Sequence, residues 1–216
     1  MTKVIVLNSQ KGGVGKTTLA AHIVFKYMQK GYRVCAVDLD PQGDFTSVFK
    51  SVEGFTVVGT AYDFISNARF EIKETESSVK HGLIEGNFLL GTMQDLSQEQ
   101  VINTLVLNIE KLKLMGFDYI VLDTPPSRDI KNIAPLFVAT HIIVPFQLQN
   151  FSLNGIKRTI VTIETFRKNK NPDLVFLGLI PAVFNRGSPL ERQTFLEVIE
   201  KIPDFLMIKK NVDGCD

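Results

Sequence analysis

The sequence predicts an α/β fold, a mostly parallel twisted sheet with helices on both faces. Three observations carry this. Short apolar, β-rich runs recur at Val4–Leu7, Arg33–Val37, Asn87–Leu90, Tyr119–Leu122, His141–Pro145 and Val175–Ile180. Helix-like segments separate several of them, and near-continuous apolar strands bounded by helices imply a parallel sheet covered on both sides. A glycine-rich turn follows the first run and opens the first helix, an order that a phosphate-binding loop requires.

The elements follow in chain order. Helices are expected at about Lys16–Lys30, Asp44–Lys50, Ala61–Asn67, Ser97–Leu114, Ile130–Val138, Leu153–Lys168 and Pro189–Lys201. Lys30-Gly31-Tyr32 reads as a C-cap after the first long helix. Met115-Gly116-Phe117-Asp118 and Asn169-Lys170-Asn171-Pro172-Asp173 read as turns. Ser51–Lys80 is more polar with a weaker pattern, and reads as a surface region of the same domain. The 216 residues fit one α/β domain, residues 1–216, large enough to bury a substantial core.

Composition narrows the function classes. The net charge is +1, from 24 basic and 23 acidic residues, so any nucleic-acid binding must come from a local patch. The two cysteines, Cys35 in an apolar run and Cys215 near the end, offer no disulfide framework or zinc spacing. That suits a reducing cytosol. No apolar stretch approaches the roughly 20 residues needed to cross a membrane, and no signal peptide precedes the first strand. His22, His81 and His141 show no ligand spacing and read as structural or exposed.

The motif with most chemistry is Lys11-Gly12-Gly13-Val14-Gly15-Lys16-Thr17-Thr18. Its glycines let backbone N–H groups converge on an anion, and the helix behind points its positive end at the phosphates. Lys16 would reach the β- and γ-phosphates, and the Thr17 hydroxyl would ligate Mg²⁺. The ordinary loop pattern fails, because Ser9 stands where its first glycine belongs. Lys11 is an added lysine that the ordinary pattern does not ask for.

Two further motifs end strands, where ligands of open α/β sheets sit. In Val37-Asp38-Leu39-Asp40-Pro41-Gln42-Gly43, two aspartates at i and i+2 point to one side of the strand. They could orient a metal's waters and an attacking water, or simply cap a turn. In Tyr119-Ile120-Val121-Leu122-Asp123-Thr124-Pro125-Pro126, four apolar residues end in Asp123, either a Mg²⁺-holding carboxylate or an N-cap.

Together, K-G-G-x-G-K-T-T, D-L-D-P-Q-G and D-T-P-P resemble the deviant Walker A ATPases of the ParA/MinD family, a P-loop NTPase fold of the SIMIBI type. The resemblance runs from Val4 to about Val212. It implies ATP and Mg²⁺ as cofactors and an ATPase whose catalytic residues are Lys11, Lys16 and Asp40. Lys11 would reach the partner's nucleotide in an ATP-sandwiched homodimer, Asp40 would position the hydrolytic water, and Asp38 would sit near Thr17 in the Mg²⁺ shell. Asn185, in Pro181-Ala182-Val183-Phe184-Asn185-Arg186-Gly187, stands where adenine is met, although Asn-x-Gly also favours a plain turn. Gln149 replaces a glutamate common in partition ATPases.

The family also implies partners. ATP-dimerised partition ATPases bind DNA without sequence preference through basic residues, here Arg186, Arg192, Lys209 and Lys210. Lys157/Arg158 and Arg167/Lys168/Lys170 are further basic groups, and groups of this kind are more often solvated helix faces. A ParB-like centromere-binding adaptor would stimulate hydrolysis on the nucleoid. Pro203–Asp216 lacks the amphipathic pattern of a membrane-targeting helix, so no membrane partner is expected. No helix-turn-helix precedes Val4, so operator-specific binding is not expected either. The alternatives are a MinD-like ATPase or one that positions a protein cargo.

Overall fold

The computed structural model describes residues 1–72, 78–93, 96–127, 129–149, 153–182, 185 and 187–206. Seven strands form one sheet: β1 (Lys3–Leu7), β2 (Val34–Asp38), β3 (Phe55–Thr60), β4 (His81–Glu85), β5 (Tyr119–Asp123), β6 (His141–Phe146) and β7 (Val175–Pro181). Their spatial order is β3-β4-β2-β5-β1-β6-β7, and every pairing is parallel. Eight helices are described: α1 (Lys16–Gln29), α2 (Asp44–Phe49), α3 (Ala61–Ser66), α4 (Gln98–Leu114), α5 (Ile130–Ile133), α6 (Pro135–Val138), α7 (Leu153–Lys170) and α8 (Pro189–Lys201). The expected α/β fold with a parallel sheet is what forms.

Strand alternation sorts the core into two layers. Val4, Val6, Cys35, Val37, Ile120, Leu122, Ile142 and Val144 face one layer, with residues of α3, α4, α6, α7 and α8. Ile5, Leu7, Val34, Ala36, Tyr119, Val121 and Ile143 face the other, with residues of α1 and α2. Both strand faces are therefore apolar, which is why these segments read as unbroken hydrophobic runs. Helix α4 places Val101, Leu105, Ile109 and Leu112 in the first layer, spaced at one helical face. Ser97 and Gln100 start it with a reciprocal capping box.

The terminators behave as read. Gly31 has φ 82° after α1, and Tyr32 N donates to the Tyr27 carbonyl at 3.1 Å, closing the helix end. Gly116, φ 74°, does the same after α4. Helix α7 runs two residues past its expected end before the turn at Asn171.

Three expectations are corrected. Asn87–Leu90 is not a strand: the fourth strand is His81–Glu85, and Phe88–Thr92 is a 3₁₀ turn. The Asn87 side chain accepts the Leu89 N–H at 3.1 Å, and Phe88 is 74% exposed, so the apolar triplet wraps a turn. The real strand was masked by its polar ends, His81 and Glu85, and by Gly82.

Ser51–Lys80 is not merely surface. It supplies edge strand β3 and helix α3, with Ala61, Phe64, Ile65, Phe70 and Val79 buried in the first layer. Edge strand β3 is only half covered, which weakens its hydrophobic signal. Gly59 is required there, since a Cβ would stand 2.3 Å from Phe70 Cε2. Finally, Ile130–Val138 is two short helices, divided where Pro135 begins α6.

If this segment is core, Phe64→Ala lowers the unfolding free energy by about 3–5 kcal/mol. Urea denaturation followed by circular dichroism measures it, and a loss below about 1 kcal/mol would return the segment to the surface.

Candidate functional site

From β1 the chain goes to β2 and edge strand β3, returns through β4 and β5 to lie beside β1, then crosses to β6 and β7, so the strand order reverses beside β1 and opens a crevice at its carboxyl end. Leu7, Asp123 and Asp38 are register partners on adjacent strands β1, β5 and β2. The loop after β1 and both aspartate motifs therefore share one edge. Gly13 and Gly15 take φ of 70° and 81°, which turns the loop back and starts α1 at Lys16.

Inside this crevice Lys16 is 6% exposed, and its Nζ donates to the Lys11 carbonyl at 3.2 Å. Burial pushes the Lys16 ammonium below its ordinary pKa, while Asp123 and Asp40 oppose that shift. Thr17 Oγ1 donates to Asp123 Oδ2 at 2.6 Å. The other oxygen, Asp123 Oδ1, is buried with no hydrogen-bond partner. A buried orphan lone pair beside a hydroxyl is a donor set that suits a small hard cation. Among the described residues no group of three or more His, Cys, Asp and Glu could hold a metal alone. Thr17 and Asp123 thus fit a Mg²⁺ that takes its remaining ligands from phosphate oxygens and water.

Asp38 lies beside Asp123, but both its oxygens are engaged. Oδ1 accepts the Asp40 N–H at 3.0 Å, and Oδ2 accepts from Thr46 N at 2.7 Å and Thr46 Oγ1 at 2.8 Å. Asp38 holds the loop and the start of α2 in place, while remaining close enough to raise the Asp123 pKa. Asp40 accepts the Gln42 N–H at 3.0 Å and lies near enough to Lys16 to act on its charge.

Several residues of this site escaped the sequence reading. Thr46 Oγ1 also accepts the Gly86 N–H at 2.8 Å, tying β4 to the Asp38–Gly43 loop. A Cβ on Gly86 would stand 2.7 Å from Asp38 Cγ and 2.8 Å from the Asp40 carbonyl, so only glycine fits. A glycine directly after a strand was the available signal, hidden by the misplaced strand. Gln147, at the end of β6, donates its amide to the Gly13 carbonyl. Asn132, on α5, donates to the Pro125 carbonyl at 2.8 Å, with no signal in the sequence.

On the far side, the buried Glu191 joins two loops. Its Oε1 accepts from Gln149 Nε2 at 2.9 Å, and its Oε2 accepts from Asn185 N at 2.8 Å. Asn185 Oδ1 accepts the Gly187 N–H at 3.0 Å, so the residue does form an Asx turn. Arg192 is exposed on α8, as are Lys157 and Arg158 on α7. Arg186, Lys209 and Lys210 lie outside the described residues. No helix among the described residues is long and apolar enough to cross a membrane.

Burial pushes the Asp123 carboxyl up to about 7 and the Asp38 carboxyl up to about 6. Raised carboxyl pKa values mean that folding takes up protons, so the unliganded protein loses stability as pH rises from the ordinary carboxylate range through about 7. A cation at Asp123 needs the ionised form. Binding of Mg²⁺ with nucleotide should therefore release roughly half a proton at pH 7 and none by about pH 9. Calorimetry in two buffers of different ionisation enthalpy measures this. A binding heat independent of buffer at pH 7 would exclude a protonated Asp123.

Comparison with known proteins agrees with this geometry. A family model described as an AAA domain, AAA_31, matches residues 2–176. The protein IncC of Escherichia coli is 30% identical over 95% of this chain, which spans only 57% of the relative's length. The chromosome-partitioning ATPase Soj of Thermus thermophilus is 31% identical, with 88% of this chain and 72% of Soj covered. Among solved structures, cobyrinic acid a,c-diamide synthase from Mycobacterium smegmatis, with bound ADP and magnesium, superposes with a TM-score of 0.72. It is 26% identical, over 93% of this chain and 82% of the other. The phosphate loop with its added lysine, the paired strand-end aspartates and the family match over residues 2–176 together show that this chain belongs to the ParA/MinD family of deviant Walker A ATPases, through its AAA_31 domain.

Proposed function

We propose that this protein is a ParA-type ATPase that binds Mg²⁺–ATP in the crevice beside β1 and dimerises around it. The dimer binds DNA without sequence preference and hydrolyses ATP with a partner protein, to segregate or position plasmid or chromosomal DNA on the nucleoid. The observation that carries this is the convergence of Lys16, Thr17, Asp40 and Asp123 behind a loop led by Lys11. Relatives named as partition proteins support the cargo class.

The residues divide the work as follows. Backbone N–H groups of Gly12–Thr18 and the α1 N-terminus would hold the phosphates. Lys16, held at low dielectric, would neutralise charge that grows on the β–γ bridge and γ-phosphate oxygens. Thr17 and Asp123 would hold Mg²⁺, which would draw charge from the phosphate oxygens. Asp40, on a loop braced by Asp38, Thr46 and Gly86, would orient the attacking water. Lys11 leads the loop and is exposed, which allows it to reach a second subunit's nucleotide. Asn185 would meet the base. DNA contact would be electrostatic, through Arg192 and neighbouring basic residues.

Gel filtration and DNA binding with ATP, ADP or no nucleotide test the scheme. Lys16→Ala should abolish nucleotide binding, whereas Lys11→Ala should retain some binding and lose the dimer. Asp40→Ala should accumulate the ATP dimer, and wild-type turnover in that variant removes Asp40 from the mechanism. DNA affinity should fall about tenfold or more between 50 and 200 mM salt. A protein that stays monomeric with a non-hydrolysable ATP analogue would defeat the sandwich.

A further inference from the structure

We propose that Asn132 is a positioning residue that makes the segment after β5, and the surface of α5 behind it, follow the state of the phosphate loop. The inference rests on the ATPase reading above, and concerns how occupancy of that site reaches the rest of the molecule.

The Asn132 side chain is 2% exposed and spans two elements that would sense nucleotide. Its Nδ2 donates to the Pro125 carbonyl at 2.8 Å and to Thr124 Oγ1 at 3.3 Å, immediately after Asp123. Its Oδ1 and its backbone carbonyl accept from Asn8 Nδ2, at 2.8 and 2.9 Å. Asn8 is the residue that leaves β1 for the phosphate loop. Thr124 Oγ1 in turn donates to the Leu7 carbonyl at 2.7 Å. One amide therefore closes a ring through the loop's root, the exit of β5 and the middle of α5.

Each side of that amide has a separate task. The acceptor side fixes α5 to the loop, and the donor side fixes α5 to Pro125. Pro125 lacks an N–H, so the segment's grip on α5 at this residue runs through its carbonyl. Beside it, Pro126 packs close to Gly12, whose added Cβ would lie 3.8 Å from Pro126 Cβ. A shift of the loop on binding phosphate would thus press on Pro126 from one side and draw Asn8 on the other. With Asn132 in place, both displacements reach α5, and buried hydrogen bonds of this kind resist breaking because each orphaned group costs free energy. Lys131, next on α5, extends the linkage to the Leu90 carbonyl at 2.9 Å, in the turn that carries exposed Phe88.

Hydrogen–deuterium exchange with and without Mg²⁺ and a non-hydrolysable ATP analogue tests this. In the parent protein the analogue should slow exchange about tenfold both at the phosphate loop and across residues 130–138, the size of effect one buried hydrogen bond supports. Asn132→Asp keeps the shape and the acceptor side but removes the donor. It should retain the loop response and, with one of the two links cut, reduce that of residues 130–138 to about threefold. Asn8→Ala, cutting the brace from its other end, should do the same should the first variant fail to fold. Asn108→Ala breaks two side-chain hydrogen bonds in the α3–α4 layer and should leave both responses intact, which separates relay from general destabilisation.

If residues 130–138 respond in Asn132→Asp and Asn8→Ala as in the parent, the inference falls and the ATPase reading stands. The inference also falls if Asn108→Ala loses the α5 response equally. A parent protein with no analogue-induced protection at the phosphate loop overturns the ATPase reading and the inference with it.

Discussion

Leu7, Asp123 and Asp38 are Cα partners across three adjacent parallel strands, and that register is the constraint on which the site hangs. Parallel strands send all their carboxyl ends to one edge. Neighbouring strands lie about 4.8 Å apart, so residues far apart in the chain meet within hydrogen-bond reach. Thr17, at the start of α1, can then donate to Asp123 at 2.6 Å only because α1 begins directly above β5's end. A one-residue slip in β5 would turn Asp123 to the opposite face and place Leu122 beside Thr17.

The same arrangement concentrates buried charge. Asp38 and Asp123 are both buried, and burial raises both their carboxyls. The two are resolved differently. Asp38 is satisfied by three donors from its own loop and α2, and serves the architecture. Asp123 keeps an unpartnered oxygen, a feature that costs folding free energy and that a cation there would offset. Two aspartates that look alike in composition thus take opposite roles because their neighbours differ.

Around this centre the loops are braced mainly by neutral groups, two side-chain amides and a hydroxyl. Gln147 holds Gly13, Asn132 joins Asn8 to Pro125, and Thr46 joins Asp38 to Gly86. Neutral braces hold geometry without adding charge to a site that already contains lysines and aspartates. Of the ion pairs described, Lys113–Glu110 and Arg167–Glu164 lie elsewhere and contribute little, whereas Lys131–Asp129 at 3.4 Å and Lys50–Glu85 at 2.8 Å flank the segments after β5 and β4.

The sequence alone determined the parallel α/β class, the phosphate loop and the aspartates at strand ends, because each depends on short-range pattern: strand, glycine turn, helix, or an apolar run ending in Asp. It placed helix α3 but misplaced the fourth strand, missed β3 and took their segment for surface, because an edge strand's half-covered faces and β4's polar ends weaken the period-two signal. Only the tertiary structure decided which lone pairs each aspartate uses, why Gly86 must lack a side chain, and that Asn132 bridges the loop to the strand exit. Asn8 and Asn132 lie 124 residues apart, and Thr17 and Asp123 lie 106 apart. Contacts at that separation are set by strand order and register, quantities that no local window of sequence contains.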